Sequence, residues 1–104
     1  MQLNQQFLHR LRVMASRGAG VRAMVDEIRT ELGTNDGLAL VADWYFKNAF
    51  LLRLGEVRDI EGSSCLGGLA YSDEEIDRLM LPRIENTRHL WWEGPEEMNS
   101  MNRI

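Results

Sequence analysis

The sequence predicts an all-α fold: a compact, single-domain bundle of about five helices with a kinked last helix. Apolar residues recur at helical spacing along most of the chain, and no stretch alternates apolar and polar residues with β-branched support. Glycines or capping residues stand at the ends of most periodic runs. The 104 residues, 44% of them hydrophobic, supply one core. We therefore predict one helical domain over residues 1–92 and a polar, flexible tail over residues 93–104.

The first two helices are predicted over residues 3–16 and 21–32, as an antiparallel hairpin. Glycines at positions 18 and 20 separate them, and Gly33 is a natural end for the second helix. The second helix has the clearest amphipathic pattern in the chain. Its apolar face consists of Val21, Met24, Val25, Ile28 and Leu32.

The third predicted helix, residues 38–52, is apolar on most faces, which is typical of a central, buried helix. Asp43 and Lys47 lie four residues apart in the favourable order, so we expect them to pair on one solvent-facing stripe. A short fourth helix is predicted over residues 54–60. The Gly- and Ser-rich residues 62–68 then predict a loop.

The fifth predicted helix begins at a capping box, in which Ser72 precedes Glu75 by three residues. Pro82 lacks an N–H and clashes with the preceding turn, so it is expected to kink or restart this helix. The apolar face continues to Trp91 and Trp92, and the Glu-Gly-Pro run at residues 93–95 ends it.

The chain is acidic, and its acidity is concentrated near the C-terminus. The formal net charge is -4, and residues 72–104 carry four Arg against eight carboxylates. Nucleic-acid binding requires a net basic face, so this balance disfavours nucleic acid as the main ligand. It favours a basic protein partner, for example a toxin or nuclease, because opposite charge accelerates association.

We expect the protein to be cytoplasmic. The N-terminus lacks the basic start and unbroken apolar stretch of a signal peptide, and no apolar run is long enough to cross a bilayer, so no membrane association is predicted. Cys65 is the single cysteine, so it has no internal disulfide partner.

No catalytic residue, metal site or cofactor is predicted. Cys65 stands in a Gly/Ser loop, but a thiolate nucleophile would need a base such as His9 or His89, and a small loop residue without chemistry is the simpler interpretation. Glu85 and His89 share a helical face, but two ligands are too few to define a zinc site.

An alternative hypothesis uses the N-terminal hairpin, whose Arg10, Arg17 and Arg22 can contact phosphate. The chain would then be a small regulatory or nucleic-acid-associated protein. The second and third helices also have roughly helix-turn-helix spacing around Gly33. However, a recognition helix should be polar or basic, and the third helix is apolar.

Protein binding is the leading hypothesis, and two features support it. The first is an acidic surface, for which a capped and solvated helix start is the alternative explanation. Its predicted residues are Asp59, Glu61, Asp73, Glu74 and Asp77.

The second feature is the Trp91-Trp92 pair. Adjacent helical residues point about 100° apart, so one core face cannot easily bury both. Two arrangements follow: one tryptophan closes the core and the other stays partly exposed as a binding anchor, or both tryptophans pack against helices 1 and 3 as a lid. A homodimer would bury the surplus tryptophan equally well.

The residues from Tyr45 to Arg58 with the following Gly-rich loop, the 72–77 capping segment and the run from Arg88 to Trp91 resemble small, acidic, helical bacterial proteins of the toxin-immunity type. The resemblance covers about residues 45–92. It implies a non-enzymatic immunity or antitoxin-type protein that occludes a basic partner. It assigns no individual binding residue.

Overall fold

The computed structural model describes residues 3–92 and folds them into six α-helices. The described residues contain no β-strand, so the all-α prediction is confirmed. The predicted flexible tail, residues 93–104, lies outside the described residues. Two 3-10 helices between α4 and α5 are named the 58–62 turn (Arg58–Gly62) and the 64–66 turn (Ser64–Leu66). The α-helices are α1 (Gln5–Ser16), α2 (Val21–Leu32), α3 (Leu38–Phe50), α4 (Leu54–Val57), α5 (Asp73–Asn86) and α6 (Arg88–Trp91).

Helices α1 and α2 contact each other across a short turn, and both have clear terminal signals. The Asn4 side-chain oxygen accepts hydrogen bonds from the backbone N–H groups of Gln6 (2.9 Å) and Phe7 (3.2 Å). This cap explains why α1 begins at residue 5 and not at the predicted residue 3. Helix α2 occupies the predicted range and ends at Gly33, whose φ of 78° favours glycine.

Helix α3 is central, as predicted, because it contacts α1, α2, α4, α6 and the 58–62 turn. It ends at Phe50, two residues before the predicted end. The reason is Leu51, which has a left-handed φ of 53°. The N–H of Leu52 then donates to the carbonyl of Lys47 (3.0 Å), which closes the last turn.

The predicted fourth helix, residues 54–60, splits into the single turn α4 and the 58–62 turn. Val57 and Ile60 are both buried, and their spacing of three residues matches the period of a 3-10 helix. The predicted loop contains the 64–66 turn. Its return path passes close to the backbone at Gly62: a Cβ atom on Gly68 would lie 2.4 Å from the Gly62 carbonyl carbon, so position 68 requires glycine.

Helix α5 begins at the predicted capping box. Ser72 Oγ accepts from the Glu75 N–H (3.2 Å), and Glu75 Oε1 accepts from the Ser72 N–H (3.0 Å). The helix continues through Pro82, which is exposed, so it does not restart there, and the break between α5 and α6 falls at Thr87. There Thr87 Oγ1 donates to the carbonyl of Phe50 (2.6 Å), which ties the start of α6 to the end of α3.

The buried apolar side chains of these elements form one cluster. Aromatic rings pack edge to face within it, including Phe7 on Tyr45 (4.9 Å between centroids) and Phe46 on Phe50 (5.7 Å). The fully buried large side chains are Phe7, Leu11, Val21, Met24, Val25, Ile28, Phe46, Phe50, Val57, Ile60, Ile76 and Met80.

The predicted solvent-facing stripe of α3 is wrong at Asp43. Only 2% of Asp43 is exposed, and no ion pair joins it to Lys47 in the described part of the chain. The ammonium of Lys47 instead lies 5.8 Å from the centroid of the Trp44 ring. The solvent-facing side of α3 is therefore rotated away from Asp43 and towards Trp44.

The left-handed backbone at Leu51 generates a stability prediction. We expect Leu51→Gly to be more stable than Leu51→Ala by about 1 kcal/mol, because a Cβ atom costs about 1–2 kcal/mol in this conformation and glycine loses about 0.5–1 kcal/mol of that advantage through chain entropy. Both variants remove the same exposed side chain. Urea unfolding followed by circular dichroism measures the difference, and an alanine variant as stable as the glycine variant would contradict it.

Candidate functional site

Some carboxylates of the predicted acidic surface are engaged in hydrogen bonds within the protein. Two of them lie in the first turns of α5. The carboxylate of Asp73 accepts hydrogen bonds from the guanidinium of Arg22 (2.5 Å) and the hydroxyl of Ser64 (3.0 Å). The Arg22 hydrogen bond is the main reason that the pKa of Asp73 lies below its ordinary value. Asp73 therefore holds α5 against α2 and the 64–66 turn.

Asp77 has a second structural role, as the cap of another helix. Its Oδ1 accepts a hydrogen bond from the backbone N–H of Val21 (2.8 Å), at the start of α2. The residue before α2, Gly20, supplies no side-chain cap of its own, and a Cβ atom there would lie 2.8 Å from Asp77 Oδ2. A carboxylate at this position satisfies a helix N–H and opposes the positive end of the α2 dipole.

The other predicted acids lie elsewhere. Asp59 accepts a hydrogen bond from the guanidinium of Arg83 (2.8 Å). Arg83 is ten positions after Asp73, so its backbone lies about 15 Å further along α5. Glu61 lies 3.6 Å from Arg58. Glu74 is exposed and has no ion pair within residues 3–92. The structure thus places Asp59 apart from Asp73. Among the predicted acids, Glu74 is the one whose carboxylate forms no ion pair with the described residues.

The two adjacent tryptophans have different environments, as expected for adjacent helical positions. Trp91 is buried; its indole N–H donates to the carbonyl of Ile84 (3.2 Å) and to Thr87 Oγ1 (3.1 Å), and its ring packs on Phe50 (5.0 Å). Trp92 is half-buried and stacks on His9 (6.4 Å between centroids). Trp91 closes the core against α3, and Trp92 is half-buried against His9 of α1, so the two tryptophans contact the two helices that the lid arrangement names.

Sequence reasoning missed the largest exposed apolar feature of α3. Leu40 is 59% exposed, Trp44 39% and Leu51 49%. Leu40, Trp44 and Lys47 lie at positions i, i+4 and i+7, so they share one side of α3, and Leu51 directly follows the end of the helix. We call these four residues the α3 face. Apolar residues all round this helix concealed the α3 face in the sequence, because periodicity cannot separate a buried face from an exposed apolar one.

A buried carboxyl lies on the neighbouring side of α3. Asp43 Oδ1 has no hydrogen-bond partner among the described residues. Burial, and secondarily the nearby carboxyl of Glu61, raises the pKa of Asp43 to about 8. Arg58 opposes this shift. Burial thus favours the protonated form of Asp43, where the 58–62 turn packs on α3.

Cys65 lines a shallow pocket of about 570 Å³ beside the start of α3. The thiol itself is buried, 6% exposed, and lies 3.0 Å from Ser63 Oγ. The guanidinium of Arg29 is committed to Asp26, Asn35 and the Cys65 carbonyl. Neither predicted base is near: the pocket is lined by Arg29, Asn35, Gly37, Leu38, Ala39, Cys65, Leu66 and Gly67.

The arginines of the nucleic-acid alternative are mostly engaged within the protein. Arg10 lies 3.6 Å from Glu27, and Arg22 pairs with Asp73. Arg17, at the end of α1, is exposed. Ion pairs of this kind leave little positive charge on the hairpin to neutralise phosphates.

The buried Asp43 predicts a pH-dependent stability. Its folded-state pKa lies above the ordinary value of 3.8, so the folded chain holds a proton that the unfolded chain releases. The contribution of Asp43 to the free energy of unfolding should therefore be greatest below about pH 4 and should fall as pH rises towards about 8. We expect Asp43→Asn to be more stable than the parent by about 1–3 kcal/mol at pH 8.5, and the gain to shrink towards pH 4.5.

Thermal unfolding of the parent and Asp43→Asn chains across this pH range measures the effect. Glu74→Gln is the matched control, because Glu74 is exposed and its loss should leave the pH profile of the parent unchanged. A constant difference between the Asp43→Asn variant and the parent across the range would contradict the raised pKa.

The burial of Cys65 predicts slow modification. A thiol reagent should label the folded chain at least about tenfold more slowly than the chain in urea, because the buried sulfur must wait for local opening. Absorbance of the released chromophore gives both rates. Faster labelling of the folded chain would instead indicate an activated thiolate and a nucleophilic role.

Within residues 3–92 no group of three or more His, Cys, Asp or Glu side chains is arranged to hold a metal ion. None of the helices there combines the length and apolarity needed to cross a bilayer. No family model, curated protein or solved structure matches this chain.

Proposed function

We propose that this chain is a non-enzymatic protein-binding module and that the α3 face is its binding surface. One observation carries the proposal: Leu40 and Trp44 are exposed on one side of the central helix, and Leu51 is exposed at its C-terminal end. Large apolar side chains exposed together are typical of protein-binding surfaces. Tryptophan in particular is enriched among the residues that dominate binding energy.

The support for α3 makes this surface rigid. Five elements pack against the other sides of the helix, so binding requires little ordering of the backbone. Lys47 lies over the Trp44 ring and restricts the orientation of that ring. Full burial of each of these leucine or tryptophan side chains contributes about 1.5–3 kcal/mol to the free energy of binding. Three such residues are enough to anchor a complex.

The second candidate is an immunity or antitoxin-type protein that occludes a basic partner, such as a toxin or nuclease, with acidic side chains. The net charge of -4 and the exposed, uncommitted Glu74 favour it. Asp73 and Asp77 are needed to hold α5 on α2, so charge reversal there would disturb the fold as well as the partner. Glu74 is therefore the position at which this candidate is best examined.

Photo-crosslinking in the source cell tests both candidates. A photoreactive amino acid replaces Trp44 in one variant, Glu74 in a second and Leu69, which is fully exposed in the loop before α5, in the control. We expect a protein adduct from position 44 that is several times more abundant than that from position 69, because a bound partner covers the α3 face.

An adduct from position 74 alone would favour the acidic surface over the α3 face. No adduct above the Leu69 control at either position would contradict protein binding by both surfaces. Circular dichroism of each variant checks that the fold is retained.

A further inference from the structure

The α3 face has a pattern that is complementary to itself. When two α3 helices are placed antiparallel about an axis between Trp44 and Lys47, Leu40 of each copy lies opposite the C-terminal end of the other copy's α3, which Leu51 directly follows. Trp44 of each copy then faces Lys47 of the other. The apolar stem of Lys47 can cover the second indole as it covers its own, where its ammonium lies 5.8 Å from the ring centroid.

Charges at the two ends of α3 fit the same arrangement. Asp36 lies two residues before the first residue of α3, and Arg53 lies three residues after its last; both are exposed, and neither is in an ion pair within the part of the chain that the structure describes. Antiparallel pairing brings Asp36 of one copy towards Arg53 of the other at both ends of the interface. Parallel pairing would place like charges together.

We propose that the α3 face binds a second copy of this chain, with the two α3 helices antiparallel across a two-fold axis. This inference rests on the proposed binding role of the α3 face and names its partner. The surface is one helix of 13 residues, about 20 Å long, which is shorter than the interfaces of tight complexes. The dimer is therefore weak, with a dissociation constant of about 10–100 µM.

Other occupants fit this face less well. A basic partner would bring positive charge against Lys47, and an acidic partner would repel Asp36. A second copy supplies the opposite charge at both ends and an apolar contact in between. Each copy carries a net charge of -4, so two copies repel each other at long range. Physiological salt screens this repulsion, and the apolar contact is retained.

Sedimentation equilibrium of the full-length chain tests the proposal at about 0.15 M salt, over concentrations from about 1 µM to about 1 mM. We expect a reversible monomer–dimer equilibrium. Leu40→Glu and Trp44→Ala should each raise the dissociation constant more than about tenfold, because each removes an apolar contact that occurs twice in the dimer. Leu69→Glu, at a fully exposed leucine outside the face, should change it less than about twofold.

A charge exchange tests the antiparallel orientation. Asp36→Arg and Arg53→Asp should each weaken the dimer about threefold or more, because each places like charges together at both ends. The double variant should restore the parent dissociation constant to within about twofold. Both residues are exposed, so circular dichroism should show an unchanged fold in all three chains.

Three results would overturn the proposal: a chain that stays monomeric at about 1 mM, a dimer indifferent to both α3-face substitutions, or a charge exchange without restoration. Monomeric behaviour with an adduct from position 44 to a different protein would end this inference and leave the proposed function standing. Monomeric behaviour without any such adduct would end both.

Discussion

Burial of α3 is the constraint on which the rest of the structure depends. Its apolar surface extends round most of the helix, so α1, α2, α4, α6 and the 58–62 turn must all pack against it. Those elements leave one strip uncovered, the α3 face, and they cover Asp43 at its border. The exposed apolar side chains and the buried carboxyl thus have the same origin: the orientation of one central helix among its neighbours.

Much of the fold follows from signals that are local in sequence. The range of α2 is set by the glycines around it, and the start of α5 by the Ser72–Glu75 box; both were predicted correctly. The end of α3 was not, because Leu51 adopts a left-handed backbone conformation that leucine disfavours. Pro82 predicted a kink or a restart of the helix, and α5 does not restart there.

The candidate site was less predictable, because side-chain roles depend on partners distant in the chain. Asp73 and Asp77 were predicted as parts of an acidic surface, but their partners Arg22 and Val21 belong to α2. No local pattern identifies such pairs. A difference in burial between Trp91 and Trp92 was predictable from helical geometry, but which of them is buried depends on contacts with Phe50 and His9, which are distant in the chain.

The Asp77 cap has a consequence for the order in which the chain folds. Its acceptor and the Val21 N–H are separated by 56 positions, so α2 cannot complete its N-terminal hydrogen bonds until α5 has docked. The entropy of closing that long loop must be spent before the cap exists. A growing chain released from the ribosome only as far as α3 therefore carries an α2 with a frayed first turn.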